Sequence, residues 1–413
     1  MSPDRWLPLL GLIFVLGAVF RVQFLTTLSA ALAVLISITS WWRTRSLDGV
    51  HYRRKPFFRR AFPGEQVALT IEVENDKLLP LSWLRVEDPW PLAVAPEDDG
   101  LLAPSHLPDQ GLLTNVFNLR WFETKRRHYL LRFRQRGVYR VGPVRMQSGD
   151  IFGMYELSSE AERGEYLTVF PAMVPVETLD LPARDPFGDH RSHRKIFEDP
   201  NQPIGVRDYR PEDGFRRVHW PATAHTGQLQ VKVYQPTAAQ VAVVCMNAST
   251  FQRHWEGVFP ELLERLISVS ATLVNYFIDQ GYQVGLISNG SLAHSDRPFN
   301  IPPGRSPRQL GRLLEALAGV TSMVMVPFES FLIREMPKVP YGASLLVVTA
   351  ITPPELQDTL LRLKKRGRGI RLLSLAQGEP PHLPGIPVTH IPFIGNIPVD
   401  DSTHVGPAKR AER

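Results

Sequence analysis

The chain has 413 residues, of which 43% are hydrophobic and 21% are charged, and its formal net charge is +6. At roughly 150 residues per domain, this length allows two or three domains with cores of their own, and the composition excludes wholesale disorder and a polytopic transporter. The single cysteine, Cys245, excludes a disulfide scaffold and a cysteine-based zinc site. Basic residues concentrate in two stretches, 43–60 and 120–145, so the rest of the chain is slightly acidic.

Two uncharged apolar runs open the chain, Trp6 to Phe20 and Val22 to Trp42. The second has 21 residues, which as a helix would span about 31 Å and cross a hydrocarbon core of about 30 Å. The first has 15 residues and must borrow flanking residues or thin the bilayer. We therefore predict a transmembrane helical hairpin over residues 1–43, with a single uncleaved helix or a cleaved signal peptide as alternatives.

Basic residues follow the second run at once, and the positive-inside rule places them in the cytoplasm. They are Arg43, Arg45, Arg53, Arg54 and Lys55. Two spans return the chain to its starting side, so we expect a two-pass protein of the plasma membrane whose soluble domains are cytoplasmic.

The alternating pattern within residues 44–180 predicts an antiparallel β domain. In the stretch 67–75, alternation places Val67, Leu69, Ile71 and Val73 on one face. Further short strands, separated by Pro and Gly turns and without a helical period, are typical of an immunoglobulin-like sandwich.

An arginine-rich strand face at 128–135 has more than one interpretation. It is either simply solvated or a contact for anionic lipid head groups or an acidic partner. A nucleic-acid partner is not expected, because no stacking aromatic residues are interleaved as a recognised motif.

Polar, proline-rich residues 181–203 predict a linker, whose His190 and His193 we interpret as linker residues and not as metal ligands. Residues 401–413 predict a polar tail.

Residues 204–400 alternate strand and helix patterns. Apolar β-rich runs predict strands at 241–247, 282–289, 344–350 and 370–377. Helices are expected from Pro260 to Gly281, over 306–320 with Ser306 as N-cap, and from Pro353 to about Arg366. This order predicts a doubly wound, mostly parallel α/β sheet with helices on both faces. A ligand site would lie beyond the carboxyl ends of the strands, in the loops after Asn247, Asn289, Ala350 and Gln377.

The segment 205–235 carries dense mixed charges around a turn at Pro211–Gly214. Asp213 is a candidate cap for a short helix, and Trp220 a candidate apolar anchor for the turn. The segment is either a structural clasp between the β and α/β domains or a partner-docking surface. A catalytic acid/base pair is not expected, because no nucleophile accompanies the charges.

This segment resembles the signature of family 58 of the domains of unknown function. The matching positions are Arg207, Tyr209, Asp213, Arg216, Val218, Trp220, Ala224, Leu229 and Val231, and the departures are Glu212, His219, Thr223 and His225. Residues 136–156 resemble a second stretch of the family, and a two-helix N-terminus is typical of it. The interaction residues that the resemblance suggests are Arg207, Tyr209, Asp213, Arg216, Trp220 and His225.

The resemblance also implies a C-terminal von Willebrand factor A-like domain. Such domains often bind a divalent cation through Asp-x-Ser-x-Ser after the first strand. Here Asn247 replaces the first Asp, Ser249 is retained, and Ala350 stands where a later Asp is expected. Because Mg²⁺ prefers charged oxygen ligands, we expect a degenerate metal site and no cofactor.

Taken together, these patterns predict a membrane-anchored, non-enzymatic interaction module. By family analogy it is a scaffold or adaptor for a MoxR-type AAA+ ATPase. We assign no catalytic residue, because the chain has no P-loop, G-x-S-x-G or H-E-x-x-H motif and Cys245 lies in an apolar strand. The alternative is a hydrolase or small-ligand-binding protein that uses the strand-end face of the α/β domain.

Overall fold

The computed structural model falls into two compact units, Met1–Ala172 and Met173–Arg413. It describes residues 6–149, 156–161, 164–179, 198–210, 218–236, 241–293 and 295–393. The predicted linker lies mostly outside these residues, but its last six residues, 198–203, belong to a β-strand. The predicted tail, 401–413, lies outside the described residues.

The first unit begins with two helices and continues as a β structure. Its helices are α1 (Leu7–Val19) and α2 (Gln23–Arg45). Its strands are β1 (Val50–Pro56), β2 (Arg60–Ala61), β3 (Gln66–Asn75), β4 (Leu81–Pro91), β5 (Leu102–Pro104), β6 (Gln110–Leu119), β7 (Thr124–Arg132), β8 (Gly137–Val141), β9 (Val144–Gly149), β10 (Glu156–Ala161) and β11 (Glu165–Val169).

The stretch Gln23–Trp42 of α2 is long and apolar enough to cross a membrane, whereas α1 is a shorter apolar helix. Hydroxyl groups within α2 bond back to carbonyls of their own helix, as when Ser29 donates to Leu25 O at 2.7 Å and Ser37 to Ala33 O at 2.8 Å. These bonds satisfy polar side chains without water, which suits a helix in hydrocarbon.

The strands of the first unit form three sheets, ordered β1-β3-β7, β10-β9-β4-β6-β5 and β2-β11-β8. Neighbouring strands are antiparallel, except that β2 and β11 run parallel. The predicted alternation of β3 is confirmed, because Val67, Leu69, Ile71 and Val73 are all buried. They share one core with residues of β4 such as Leu84 and Trp90, an arrangement compatible with the predicted sandwich.

Arg134 of the arginine-rich face donates from Nη1 to Leu92 O at 3.0 Å, and basic side chains next to that face are also paired within the unit. Arg126 Nε and Lys55 Nζ donate to Glu72 at 2.7 and 2.9 Å. Hydrogen bonds from Lys55 and then Arg126 hold the pKa of Glu72 below its usual value. Arg127 donates to Val116 O at 2.8 Å and lies over the Phe117 ring. Arg134 and several neighbouring basic side chains therefore bond to groups of their own unit.

A buried ion pair connects two of the sheets. Arg54 of β1 donates from Nε and Nη2 to both carboxylate oxygens of Asp88 in β4, at 2.9 and 2.8 Å. Tyr52 Oη donates to the same carboxylate at 2.7 Å. Because Asp88 is fully buried, this bidentate geometry and the tyrosine hydrogen bond offset the cost of removing the charges from water.

Two glycines in the stretch RGVYRVGP (136–143) have steric roles around this pair. A Cβ on Gly137 would lie 2.7 Å from the ring of Tyr139, whose hydroxyl donates to the carbonyl of Gln135 at 3.0 Å. Gly142 has a φ of 89°, and a Cβ there would lie 2.7 Å from Arg54 Nη2. The motif thus makes room for Tyr139 and for the buried guanidinium.

Replacing Asp88 with Ala should destabilise the first unit by about 3–5 kcal/mol, because it leaves the Arg54 charge buried without its partner. Hydrogen exchange of the β3 and β4 amides measures this loss. The matched control is Glu74→Ala, which removes a half-exposed carboxylate 3.5 Å from Arg53 and should cost no more than about 1 kcal/mol. Equal effects of the two changes would contradict the role of the buried pair.

The second unit alternates strands and helices. Its strands are β12 (Glu198–Asp208), β13 (Gln230–Pro236), β14 (Val241–Met246), β15 (Gln283–Ser288), β16 (Gly290–Leu292), β17 (Phe299–Gly304), β18 (Val320–Val324), β19 (Ser344–Thr349), β20 (Gly369–Ser374) and β21 (Val388–His390). Its helices are α3 (Trp220–Thr226), α4 (Pro260–Asp279), α5 (Gln309–Ala318), α6 (Phe328–Glu335) and α7 (Pro354–Lys365).

The main sheet of this unit is ordered β17-β15-β14-β19-β20-β21 and is parallel except for β17 at its edge. Helices α6 and α7 pack on the face that contains Val243, Cys245 and Val347. Helices α4 and α5 contact β14 and β15 from the other side. A central parallel sheet with both faces covered explains why β14 and β19 read as continuous apolar runs.

One predicted helix boundary was wrong. The helix expected over 306–320 begins at Gln309, with Arg308 and not Ser306 as its N-cap. Ser306 Oγ instead accepts a bond from Arg308 N at 3.3 Å, two residues along, so it stabilises the preceding turn.

Candidate functional site at the carboxyl ends of the parallel strands

The carboxyl ends of β14 and β19 enclose a cavity of about 270 Å³. These neighbouring strands are followed by α4 and α7, which cover opposite faces of the sheet. A crevice therefore opens where the strand order reverses, as expected for doubly wound sheets. Residues that line it include Asn247, Ser249, Trp255, Glu329, Ile351 and Glu355. The predicted position of a strand-end site, after Asn247 and Ala350, coincides with this cavity.

Asn247 forms the floor of the cavity. Its backbone N–H donates to Val348 O at 2.8 Å and so extends the ladder between β14 and β19. Its side-chain Nδ2 donates to Thr349 Oγ1 at 3.0 Å, and its Oδ1 accepts from Ser249 N at 3.1 Å. Thr349 Oγ1 in turn donates to Ile351 O at 2.6 Å. The amide therefore uses both of its ends within the protein.

Asn289, directly after β15, extends this network to a third strand. Its Oδ1 accepts from Ala248 N at 2.8 Å, and its Nδ2 donates to Ser249 Oγ at 3.1 Å and to Val326 O at 3.2 Å. Asn247, Ser249 and Asn289 are all buried. The strand ends are thus joined by neutral side chains that satisfy one another, as buried polar groups must.

This donor set differs from that of a magnesium site. Mg²⁺ and Ca²⁺ select carboxylate oxygens. The buried side chains directly after β14 and β15 are instead amides and a hydroxyl. No group of three His, Cys, Asp or Glu residues arranged to hold a metal ion occurs among the described residues.

The rim of the cavity is acidic and aromatic. Glu329 and Glu355 lie in the first turns of α6 and α7, where the helix dipoles favour a negative charge. Trp255 is 70% exposed. Arg253 also lines the cavity, and its Nε lies 3.8 Å from Glu256 Oε1. The rim therefore offers a large apolar surface next to two carboxylates.

Cys245 lies below this site inside β14 and is fully buried. Burial raises the pKa of its thiol to about 12, so the thiolate needed for nucleophilic chemistry is disfavoured. This agrees with its interpretation as a core residue.

The signature segment forms a separate structure in the same unit. β12 and β13 pair antiparallel, with Arg207 opposite Val231, and Tyr209 N donates to Leu229 O at 2.9 Å. Gln230 bonds Asp208 Oδ1 at 2.6 Å, and Arg207 Nη1 donates to Asp208 O at 3.0 Å. None of these residues is among those that line the cavity.

One expectation for this segment was wrong, and others concern residues that the structure does not describe. Trp220 was predicted to be an apolar anchor, but it is 64% exposed. It begins α3, whose N-cap, His219, accepts from Ala222 N through Nδ1 at 3.0 Å, and His225 is exposed in the last turn. The short helix expected over 215–220 lies partly outside the described residues. Asp213 and Arg216 lie outside the described residues.

Sequence reasoning missed the residues of the rim. Trp255, Glu329 and Glu355 come from three loops or helix starts that are distant in sequence, so no local motif connects them. The role of Asn289 had one available signal, its position directly after an apolar strand run, which placed it at the same sheet edge as Asn247.

Comparisons with known proteins bear on this part of the chain. A family model described as "Protein of unknown function DUF58" matches residues 205–350, a range that contains the carboxyl ends of β14, β15 and β19. A Bacillus subtilis (strain 168) protein described as "Uncharacterized protein YeaD" is 21% identical over 273 residues. That match covers 64% of this chain and 59% of the relative, so the chain spans less than two thirds of that relative's length.

Two similar solved structures each cover less than a third of the chain. The sporulation control protein Spo0M of Bacillus subtilis is 16% identical, with a TM-score of 0.19, over 29% of this chain and 49% of that one. PapD-like domain 7 of human CEP192 is 19% identical, with a TM-score of 0.14, over 28% of this chain and 87% of that domain. At these scores the likenesses carry no argument about fold or function.

Replacing Asn247 with Asp tests whether the amide network excludes a cation. The change removes the donor to Thr349 and buries a carboxylate, so in EDTA we expect a loss of at least about 1–3 kcal/mol. Mn²⁺ should recover part of that loss, whereas the wild-type unfolding midpoint should be the same in EDTA and in Mn²⁺. Thermal unfolding measures both.

The matched control is Asn118→Asp, the same change at an exposed position, which should leave the midpoint nearly unchanged in both conditions. A wild-type midpoint that falls in EDTA would contradict the interpretation of a metal-independent network.

Proposed function

We propose that the chain is a membrane-anchored, non-enzymatic protein-interaction module that docks its partner at the strand-end cavity of the second unit. The observation that carries this proposal is the neutral network of Asn247, Ser249, Asn289 and Thr349 beneath an exposed tryptophan. The floor of the cavity is fully bonded internally, whereas its rim offers apolar and acidic surface. Such a combination suits recognition of a protein surface better than chemistry on a bound substrate.

The size of the cavity supports the same proposal. Pockets for drug-sized ligands and cofactors usually measure about 300–1,000 Å³, and this cavity has about 270 Å³. It is large enough for one or two inserted side chains of a partner. Trp255 is the most exposed aromatic residue on its rim, and tryptophan is enriched among residues that dominate binding energy.

The finer architecture is part of the proposal. We propose that α1 and α2 cross the plasma membrane as a hairpin, so that both soluble units are cytoplasmic, and that the β structure is an immunoglobulin-like sandwich. We propose that the second unit is a von Willebrand factor A-like domain whose metal site is degenerate at Asn247 and Ser249. Its strand order, with an antiparallel edge strand, supports this. The partner suggested by the family resemblance is a MoxR-type AAA+ ATPase, with this chain as its scaffold or adaptor.

A hydrolase or small-ligand-binding function is the second candidate, because Glu329, Glu355 and Ser249 line one cavity. A serine nucleophile needs a base within hydrogen-bonding distance. Ser249 Oγ instead accepts from the Asn289 amide, and none of the described residues that line the cavity is a histidine, lysine or cysteine. The chemistry of these side chains therefore favours docking.

Replacing Trp255 with Ala should weaken binding of the ATPase about thirtyfold, and so reduce its recovery in an affinity pull-down, because a binding hot spot contributes ~2 kcal/mol. The tagged full chain is extracted in detergent from its native cells, and recovered proteins are measured by mass spectrometry with and without EDTA. Recovery with the wild-type chain should be the same in both conditions, since the network beneath the rim contains no charge.

The control is Ile333→Ala, which removes an exposed apolar side chain of α6 that does not line the cavity. An equal loss with both variants would argue against docking at the cavity. Recovery that disappears in EDTA would argue against a metal-independent mode. The absence of any enriched ATPase would favour the small-ligand alternative.

A further inference from the structure

Three large apolar side chains are exposed at one end of the first unit. Leu78, in the loop between β3 and β4, is 76% exposed. Trp121 and Phe122, in the turn between β6 and β7, are 63% and 60% exposed. The two loops are bonded to each other, because Phe122 N donates to Lys77 O at 3.2 Å and Asn75 Nδ2 donates to Arg120 O at 2.8 Å. We call this surface the apolar tip (Leu78, Trp121 and Phe122).

The apolar tip lies next to the end of α2. That helix ends at Arg45, and the Lys77 ammonium donates to the carbonyl of Ser46 at 2.7 Å and to that of Asp48. Asp76 N donates to Gly49 O at 2.8 Å. The loop that carries Leu78 is therefore bonded to the segment that leaves the apolar helix, and burial there lowers the pKa of Lys77 to about 8.

The backbone at the tip is strained to present an aromatic ring. Phe122 has a φ of 53°, in the left-handed region that glycine and asparagine adopt at lower cost. The side chain of Phe122 is 60% exposed and so adds little to the core. An outlier of this kind points to a contact outside the folded unit.

The charges around the tip identify the chemistry of that contact. Arg120 is exposed beside Trp121, its backbone N–H donates to Glu123 Oε2 at 2.6 Å, and Arg45 at the end of α2 lies over the ring of Trp41. Tryptophan and phenylalanine next to arginine are the composition of a membrane–water interface, where aromatic rings lie at head-group level and basic side chains meet anionic lipid.

We propose that the apolar tip inserts into the interfacial region of the bilayer that α2 crosses, with Arg120 on anionic head groups. This inference rests on the proposed membrane anchorage of α2 and adds a second contact to it. The tip fixes the β structure against the membrane surface, so the first unit is held close to the bilayer and does not swing freely on the helix.

A fluorophore placed at the tip tests this contact in the full chain. Cys245 is buried with a raised pKa, so a thiol-reactive, environment-sensitive fluorophore will select a newly introduced cysteine in Phe122→Cys or Leu78→Cys. The labelled chain is reconstituted into phosphatidylcholine vesicles that contain phosphatidylglycerol. Some vesicles carry a lipid with a spin label near the head-group end of the acyl chain. At both positions we expect a blue-shifted emission that the spin-labelled lipid quenches.

The control position is Phe57, an aromatic residue that is 74% exposed directly after the far end of β1. It lies about 20 Å along the strand from Val50, which is near α2. The fluorophore in Phe57→Cys should emit as in water and escape quenching. Unlabelled wild-type chain provides the blank for Cys245.

The outcomes separate this proposal from the anchorage on which it rests. If the chain floats with the vesicles but positions 78 and 122 emit as position 57 does, the tip proposal is wrong and the anchorage stands. If all three positions are quenched alike, the contact is general lipid adsorption and the proposal is wrong. If the chain does not float with the vesicles, both are wrong. Quenching of both tip positions that persists only with anionic lipid would support the role of Arg120.

Discussion

The Asn247 side chain determines how the strand-end site of the second unit is held together. Its amide donates across the switch point to Thr349 and accepts from the backbone two residues ahead. A carboxylate at this position could not donate to Thr349, and its buried charge would demand a cation or a protonated partner. The amide satisfies donor and acceptor at once and leaves no charge. The loops after β14, β15 and β19 therefore keep their positions through neutral bonds alone, and the cavity above them depends on that floor.

The first unit contains a buried pair of charged side chains and not a neutral network. Arg54 and Asp88 are ionised side chains on strands of two different sheets, so their bidentate bond crosses the core. An apolar pair of similar volume often stabilises a core as well or better. The ion pair adds specificity, because its two parallel hydrogen bonds form only when β1 and β4 are aligned in one particular way. β1 is also the strand that follows α2, so this pair fixes where the chain enters the β structure.

Local patterns in the sequence predicted the elements that local physics determines. The alternation of β3 follows from one buried face, the apolar run of β14 from a strand covered on both faces, and the start of α4 from Pro260 in its first turn. Elements whose form depends on distant partners were not predicted. The antiparallel edge strand β17 contains prolines that an edge tolerates, and the short helix α6 carries too few turns for a clear period.

For the candidate site, the sequence predicted the location but not the hydrogen bonds. Because carboxyl ends of parallel strands meet at one edge, the sequence placed Asn247, Asn289 and the end of β19 together. It did not reveal which side chains bond, since Asn289 reaches Ser249 and Val326 through the fold alone. Trp220 was misjudged because an apolar residue beside a turn is as compatible with exposure as with burial. Its ring is 64% exposed.

Two groups of exposed aromatic residues have surroundings that suit different kinds of partner. Trp121 and Phe122 lie beside Arg120 and near the end of α2, whereas Trp255 lies beside Glu329 and Glu355. A membrane surface that contains anionic lipid has a negative potential that attracts basic segments and repels acidic ones over about a Debye length. A lipid surface therefore fits the first aromatic group and is disfavoured at the second. The acidic rim instead complements a protein partner that presents lysine or arginine, because opposite charges at an interface rim increase the rate of association and suppress wrong partners.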